Sequence, residues 1–434
     1  MSYSGCVEIL ILCKVVDNYG DIGFVYRLAR ALSDLDGSLR LALAVSDLSS
    51  FAYMAPGLDA SLPLQGYCGW EVLDWNDYGL CSRWCRNHDV SIILECFQCG
   101  RPDWLEDYLF TGGLPDGKTA RIINLEYLTA EDWAEEFHLL KSGTRSAQVK
   151  KVNFLPGFTP ATGGLLLEKG FMSMLGDREG AASCVRSYLV PYIGKGAVPG
   201  LLSPDCCNVL VFSYEKDFFA VVRAFQRYNR DGGALAVYLA PGRGAASFKA
   251  AYHALFAEFT LVELPRLEQA VWDALLVSCD VLFVRGEESF ARACLSSRPF
   301  LWHAYRQEAE FQLVKVSAFV NRLRSFFNPK DFSMLAEFFL LYNIDNTDNR
   351  MGGSGFPGGE AVEAVEGLFP NLVPCLDDAV WRANRIEELA YAFLCGRKRL
   401  SGAFASFAGS LVANGDLAGH LLEYLRACCD EISS

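Results

Sequence analysis

Two carboxylates, Asp17 and Asp21, bracket a short turn that also holds Asn18 and Gly20. The apolar run before them, Val7 to Val16, reads as a buried strand. After them, Ile22 to Leu32 places apolar residues at helical spacing. The turn therefore leaves a strand and enters a helix, where free backbone amides face a ligand crevice. Gly20 permits positive φ or the close approach of a ligand. The dinucleotide fingerprint GxGxxG is absent. Asp21 could serve only as a helix cap, worth about 1 kcal/mol. Two acids together with Asn18 point further, to holding a cationic acceptor or taking a proton from a nucleophile.

A second strand-to-helix turn carries Arg285, Gly286, Glu287, Glu288 and Ser289. Arg285 and the amides after Gly286 would suit a diphosphate. The two glutamates would repel phosphate, and suit sugar hydroxyls or a cationic substrate better; an acidic first helical turn explains one of them without any ligand. Phe212 and Tyr214 follow another strand end, where an aromatic can stack on a base, although core packing is the commoner use. The loops Leu264–Gln269, with Arg266 and Gln269, and Trp302–Gln307, with Tyr305, fall at the same predicted sheet edge. The five histidines are dispersed, with no triad or HExxH context, so hydrolysis has little support.

Positioning these residues takes two rounds of alternating strand and helix. Strands are expected at Leu39–Val45, Cys68–Leu73, Val90–Cys96 and Arg121–Leu125, then again at Cys207–Phe212, Leu235–Leu239, Thr260–Leu264, Val281–Val284 and Phe300–His303. A Pro/Gly/Thr loop over 153–164 and a helical linker near Leu166–Tyr188 separate the rounds. The fold class is α/β, with two Rossmann-like, doubly wound domains facing a cleft and a helical C-terminal tail. The expected limits are 1–185, with the C-terminal helix packing back on it, then 186–378, then the tail 379–434. Residues 343–359 are polar and glycine-rich, and lack the strand and Gly-Lys-Ser/Thr of a phosphate loop. They read as a surface insertion.

The net charge of −13 and the absence of long Lys/Arg runs argue against a nucleic-acid partner. Glu8 and Lys14 interrupt the N-terminal apolar run, which suits neither a signal peptide nor a membrane span. The 16 cysteines are scattered, many in apolar strands, as expected of reduced thiols in the cytoplasm. Cys81/Cys85 and Cys96/Cys99 have spacings open to zinc, but no second CxxC or nearby His pattern completes a site.

Several segments together resemble the EarP family, the protein-arginine rhamnosyltransferases that modify bacterial translation elongation factor P. They are VVDNYGDIG (15–23), LEYLTAEDW (125–133), NFLPGFTPATGGLL (153–166), FSYE (212–215), DVLFVRGEESFARA (280–293) and PFLWHAYRQE (299–308). The resemblance implies a GT-B glycosyltransferase fold, with the acceptor on the first domain and dTDP-β-L-rhamnose on the second. It also implies inversion at the anomeric carbon without a metal or other cofactor. By motif, Asp21 would be the general base or guanidinium-orienting acid, Asp17 its companion, and Glu287 the third acid. Arg285, Gly286, Glu288 and Ser289 would hold the diphosphate and sugar, with Asn18 and Gly20 also lining the donor. Phe212 and Tyr214 would flank the thymidine, Gln269 and the backbone near Arg266 would meet base or ribose, and Tyr305 would lie by the phosphates. Arg266 stands where the family usually has an aromatic, and Glu288 where it usually has Asp. Past Phe311 the resemblance fades.

Two other readings compete. One is a GT-B enzyme with another nucleotide sugar or a small acceptor; the other is a non-catalytic nucleotide-sugar-binding protein, whose mark would be loss of the acids.

Overall fold

A computed structural model describes residues 8–16, 20–115, 117–194, 200–344 and 359–433, with side chains up to 428. The chain forms two compact units, Met1–Lys169 with Leu411–Ser434, and Gly170–Ser410.

The first unit is built on an eight-stranded sheet. Its strands are β1 (Glu8–Cys13), β2 (Arg40–Val45), β3 (Leu64–Tyr67), β4 (Trp70–Asp74), β5 (Ile92–Cys96), β6 (Ala120–Leu125), β7 (Lys141–Ser142) and β8 (Val149–Phe154). The order is β3-β4-β2-β1-β5-β6-β8-β7, parallel except for the edge strands β3 and β7. Successive residues of a strand serve opposite faces. Ile9, Ile11 and Cys13 join one buried cluster, Leu10 and Leu12 the other. Both faces are covered, which is why β1 and β2 read as unbroken apolar runs.

The C-terminal helix Leu417–Ser433 completes one of those clusters. Leu417, Ala418, Leu421, Leu422 and Leu425 lie on one helical face and pack with β1, β2 and the helix Gly20–Leu35. The chain breaks before it at Asn414–Asp416, where Gly415 takes φ +92° and Asp416 Oδ1 accepts the Leu167 N–H at 2.8 Å.

The second unit holds a wholly parallel five-stranded sheet of β9 (Cys207–Val211), β10 (Leu235–Leu239), β11 (Thr260–Glu263), β12 (Val281–Arg285) and β13 (Phe300–His303). The order is β11-β10-β9-β12-β13. The chain thus runs outward from β9 through β10 to β11, then crosses to β12 and β13 on the other side. Between β9 and β12 lies the switch point, where parallel α/β sheets open a ligand crevice at their carboxyl ends. In the first unit the same reversal falls between β1 and β5.

The strands come close to expectation, and β10 and β13 coincide with it. Three elements differ. The sequence does not announce the edge strands β3 and β7 or their neighbour β8, because LQGY at the edge and VKKVNF beside it carry polar residues where the buried strands are apolar. The tail is helical as expected, in two helices, Ala379–Ala413 and Leu417–Ser433. Contacts divide the chain at 169/170, and the long helix Ala379–Ala413 belongs mainly to the second unit. Of the glycine-rich segment 343–359, residues 345–358 lie outside the described residues. Every cysteine whose side chain is described is a free thiol. Among the described residues no helix is long and apolar enough to cross a membrane.

Candidate active site

In the first unit the switch point is marked by Asp21, in the first turn of the helix Gly20–Leu35. Its side chain is buried, 4% exposed, and both oxygens are engaged. Oδ2 accepts the Val16 N–H at 2.8 Å, tying the helix start to the chain just past β1. Oδ1 accepts the Tyr127 hydroxyl at 3.1 Å. Both bonds lead away from the helix, so the carboxylate does more than cap it. Tyr127 is itself held by stacking on Phe97, with centroids 4.3 Å apart and planes 10° from parallel. Phe97 and Gln98, just past β5, take φ of +60° and +48°. Two consecutive non-glycine residues in the left-handed region cost free energy, and such strain collects at functional sites. Burial, and then the negative charge of Asp21, push the Cys13 thiol well above its ordinary range, so it stays protonated beside the carboxylate.

In the second unit, Phe212 and Tyr214 follow β9, and Arg285 ends β12. The Phe212 N–H donates to Phe283 O at 2.8 Å, continuing the ladder into the turn. The Arg285 guanidinium lies 4.6 Å from the centroid of each of the two rings. Such contacts contribute roughly 0.5–2 kcal/mol each, according to exposure. Trp272, one turn into the helix Gln269–Ser278, backs Phe212 at 5.0 Å, and Tyr305 meets Tyr214 at 5.6 Å. Two helix starts border this group. Gly286, at φ +67°, precedes the helix Glu287–Leu295, and Trp302 Nε1 fixes its carbonyl at 3.1 Å. Gly242 precedes the helix Arg243–Ala254, and a Cβ there would stand 3.4 Å from Arg285 Nη2. A guanidinium with two helix N-termini and two aromatic rings has the chemistry to take an aromatic base joined to an anion.

Arg285, Gly286, Phe212, Tyr214 and Tyr305 therefore come together. Glu287 and Glu288 form the first turn of the helix after Gly286, and Ser289 is buried below them. Glu288 Oε1 stands 3.4 Å from Nε of the buried Arg292, one turn on, which offsets a carboxylate that would otherwise oppose a phosphate. Gln269 opens its helix, and Arg266 sits in the loop after β11. Gly20 is the exposed first residue of its helix. Asp17 and Asn18 lie outside the described residues. In the cysteine pairs, Cys81 donates to Asp74 O at 3.3 Å, and burial pushes Cys81, Cys85 and Cys99 up to about 12.

The chain matches the family described as Elongation-Factor P (EF-P) rhamnosyltransferase EarP over residues 9–426. It belongs to the EarP family. A protein-arginine rhamnosyltransferase of Shewanella oneidensis is 33% identical over 326 residues, spanning 71% of this chain and 79% of that protein. One of Pseudomonas putida is 31% identical over 369 residues, spanning 83% and 91%. A solved structure concerned with EarP-mediated arginine glycosylation of translation elongation factor EF-P aligns over 97% of this chain and 99% of that one, with a TM-score of 0.54 at 21% identity. That likeness establishes the GT-B type of fold, and membership of EarP makes the chain a glycosyltransferase.

Within this EarP protein, some residues at the two switch points carried no separable sequence signal. Tyr127 lies in a motif, LEYLTAEDW, whose chemistry its letters do not reveal. Phe97 and Gln98 have no glycine to advertise their φ. Ser213 and His303 read as ordinary strand-end residues, yet His303 Nδ1 stands 2.7 Å from Ser213 Oγ.

Proposed function

We propose that this protein transfers L-rhamnose from dTDP-β-L-rhamnose to an arginine side chain of translation elongation factor P, with inversion at the anomeric carbon and without a metal ion. The observation that carries the reading is the Arg285 guanidinium over both Phe212 and Tyr214, beside the helix start at Gly286. The thymine ring would stack on these aromatics, and Arg285 with the helix amides would take the diphosphate. Gln269 and the backbone near Arg266 would address base or ribose, and Tyr305 the phosphates. Asn18, Gly20, Glu288 and Ser289 would complete the donor site.

Chemistry sets the rest. A guanidinium has a pKa above 12 and does not release a proton in advance. Asp21 would orient one guanidinium nitrogen and accept its proton while the C–N bond forms and the bond from the anomeric carbon to the diphosphate oxygen breaks. Its bonds from Val16 and Tyr127 support that role, because they fix where the carboxylate points. Glu287 and Asp17 would stabilise the guanidinium and the developing oxocarbenium charge. dTDP leaves with the electron pair, its charge met by Arg285 and backbone dipoles, which is the work a metal ion would otherwise do. Free thiols and a net charge of −13 fit a cytoplasmic enzyme.

Calorimetry with dTDP and UDP, together with turnover of Asp21→Asn, tests this reading. The expected result is preference for dTDP, with binding kept and transfer reduced by about 10²–10⁴ in the variant. Preference for UDP would point to another nucleotide sugar. Binding without transfer in the unaltered protein would point to a non-catalytic binder.

A further inference from the structure

The turn Phe212–Tyr214 is held from beneath by a buried polar chain. His303, the last residue of β13, is 9% exposed. The backbone N–H of Tyr214 donates to its Nδ1 at 3.3 Å. A ring nitrogen that accepts carries no proton, so the imidazole proton sits on Nε2. Ser213 Oγ, 2.7 Å from the same Nδ1, must then donate as well. Tyr342 Oη, at the end of the helix Pro329–Asn343, stands 2.9 Å from Ser213 Oγ and supplies the next donor. The direction is fixed throughout: Tyr342 O–H to Ser213, Ser213 O–H to His303. Burial and the cations Lys216 and Arg285 keep His303 neutral, which preserves that direction. The imidazole also meets the rings of Tyr214 and Tyr342 edge to face, each at 5.3 Å. From the other side Gly244 approaches the carbonyls of Ser213 and Tyr214 more closely than any side chain would permit.

We propose that His303 is a positioning residue for the donor nucleotide, accepting at Nδ1 to hold Phe212 and Tyr214 where both rings meet Arg285. Nothing in the transfer step uses His303; it acts through the turn. The inference rests on the donor reading above.

The test compares His303→Asn with His303→Gln in the full-length protein. Asn places its Oδ1 where Nδ1 was, and Gln places its acceptor near the former Nε2. Dissociation constants for dTDP and the donor KM and kcat are measured beside Tm. His303→Asn is expected to bind dTDP within about threefold of the unaltered protein. His303→Gln is expected to weaken dTDP and raise donor KM by roughly tenfold, the scale of a buried donor left without its acceptor, while kcat changes little. Ser213→Ala, a smaller change, should weaken dTDP by about threefold if His303→Gln does not fold. Wild-type affinity in His303→Gln or in Ser213→Ala would overturn the proposal. So would equal weakening by Asn and Gln in step with equal falls in Tm, the mark of a merely structural residue. Failure of the unaltered protein to bind dTDP would overturn the donor reading, and this inference with it.

Discussion

Gly244→Ala should damage a site that the substituted atom never touches. Gly244 lies in the first turn of the helix Arg243–Ala254, and a Cβ built there falls 2.3 Å from Ser213 O and 2.8 Å from Tyr214 O. Carbon and carbonyl oxygen settle at about 3.3 Å or more. Both obstacles are backbone, so the helix start or the turn must retreat by about 1 Å. Helix propensity alone would make Ala more stable than Gly by about 0.8–1 kcal/mol. Overpacking of this kind costs about 1–3 kcal/mol, which outweighs that gain and sets the expected sign. At roughly 2–4 °C per kcal/mol for a unit of this size, Tm should fall by a few degrees at most. The functional loss should be larger, because displacement by about 1 Å can cost 10²-fold where groups must be aligned. Calorimetry with dTDP is expected to show affinity reduced by about tenfold or more. A raised Tm with unchanged dTDP affinity would refute the claim that this close approach fixes the aromatic turn.

Two further outcomes follow from the first unit. Tyr127→Phe removes the hydroxyl that bonds Asp21 but leaves the ring stacked on Phe97; because Tyr127 is partly exposed, about 1 kcal/mol is at stake, and transfer should slow roughly fivefold at unchanged dTDP affinity. Acid should destabilise the protein in a defined window. Burial, and next the neighbouring His420, hold His138 down to about 4 from its ordinary 6.5, and its Nδ1 accepts the Leu155 N–H at 3.1 Å. The unfolded chain therefore takes this proton first, so the stability due to His138 is whole above about pH 6.5 and is lost as pH falls towards 4. His138→Asn keeps an acceptor without a titrating ring, and should flatten the fall of Tm across that window; parallel curves for the two proteins would count against it.

Much of this was legible in the sequence, for physical reasons. Parallel strands buried on both faces must be continuously apolar, so β1, β5, β9 and β12 stood out, and each strand-to-helix turn followed from them. The Arg285–Ser289 turn and the Phe212–Tyr214 pair were each legible as strand-end turns, and the strand order β11-β10-β9-β12-β13 is what brings them to one switch point. What escaped depends on neighbours distant in the chain. β8 carries two lysines and shows its strand only through pairing with β6 and β7. The break at Gly415 is set by Asp416 bonding to Leu167, some 250 residues earlier. His303 gains its role from Ser213, Tyr214 and Tyr342, none of them nearby in sequence. That Glu288 also stands against the buried Arg292, one turn later, is seen only in the packed helix.

The central claim is tested most directly by mass spectrometry of translation elongation factor P after incubation with this protein and dTDP-β-L-rhamnose. One added deoxyhexose on a single arginine is expected, and its loss when Asp21→Asn replaces the unaltered protein. No addition, addition only from a different nucleotide sugar, or a deoxyhexose on a residue other than arginine would contradict it.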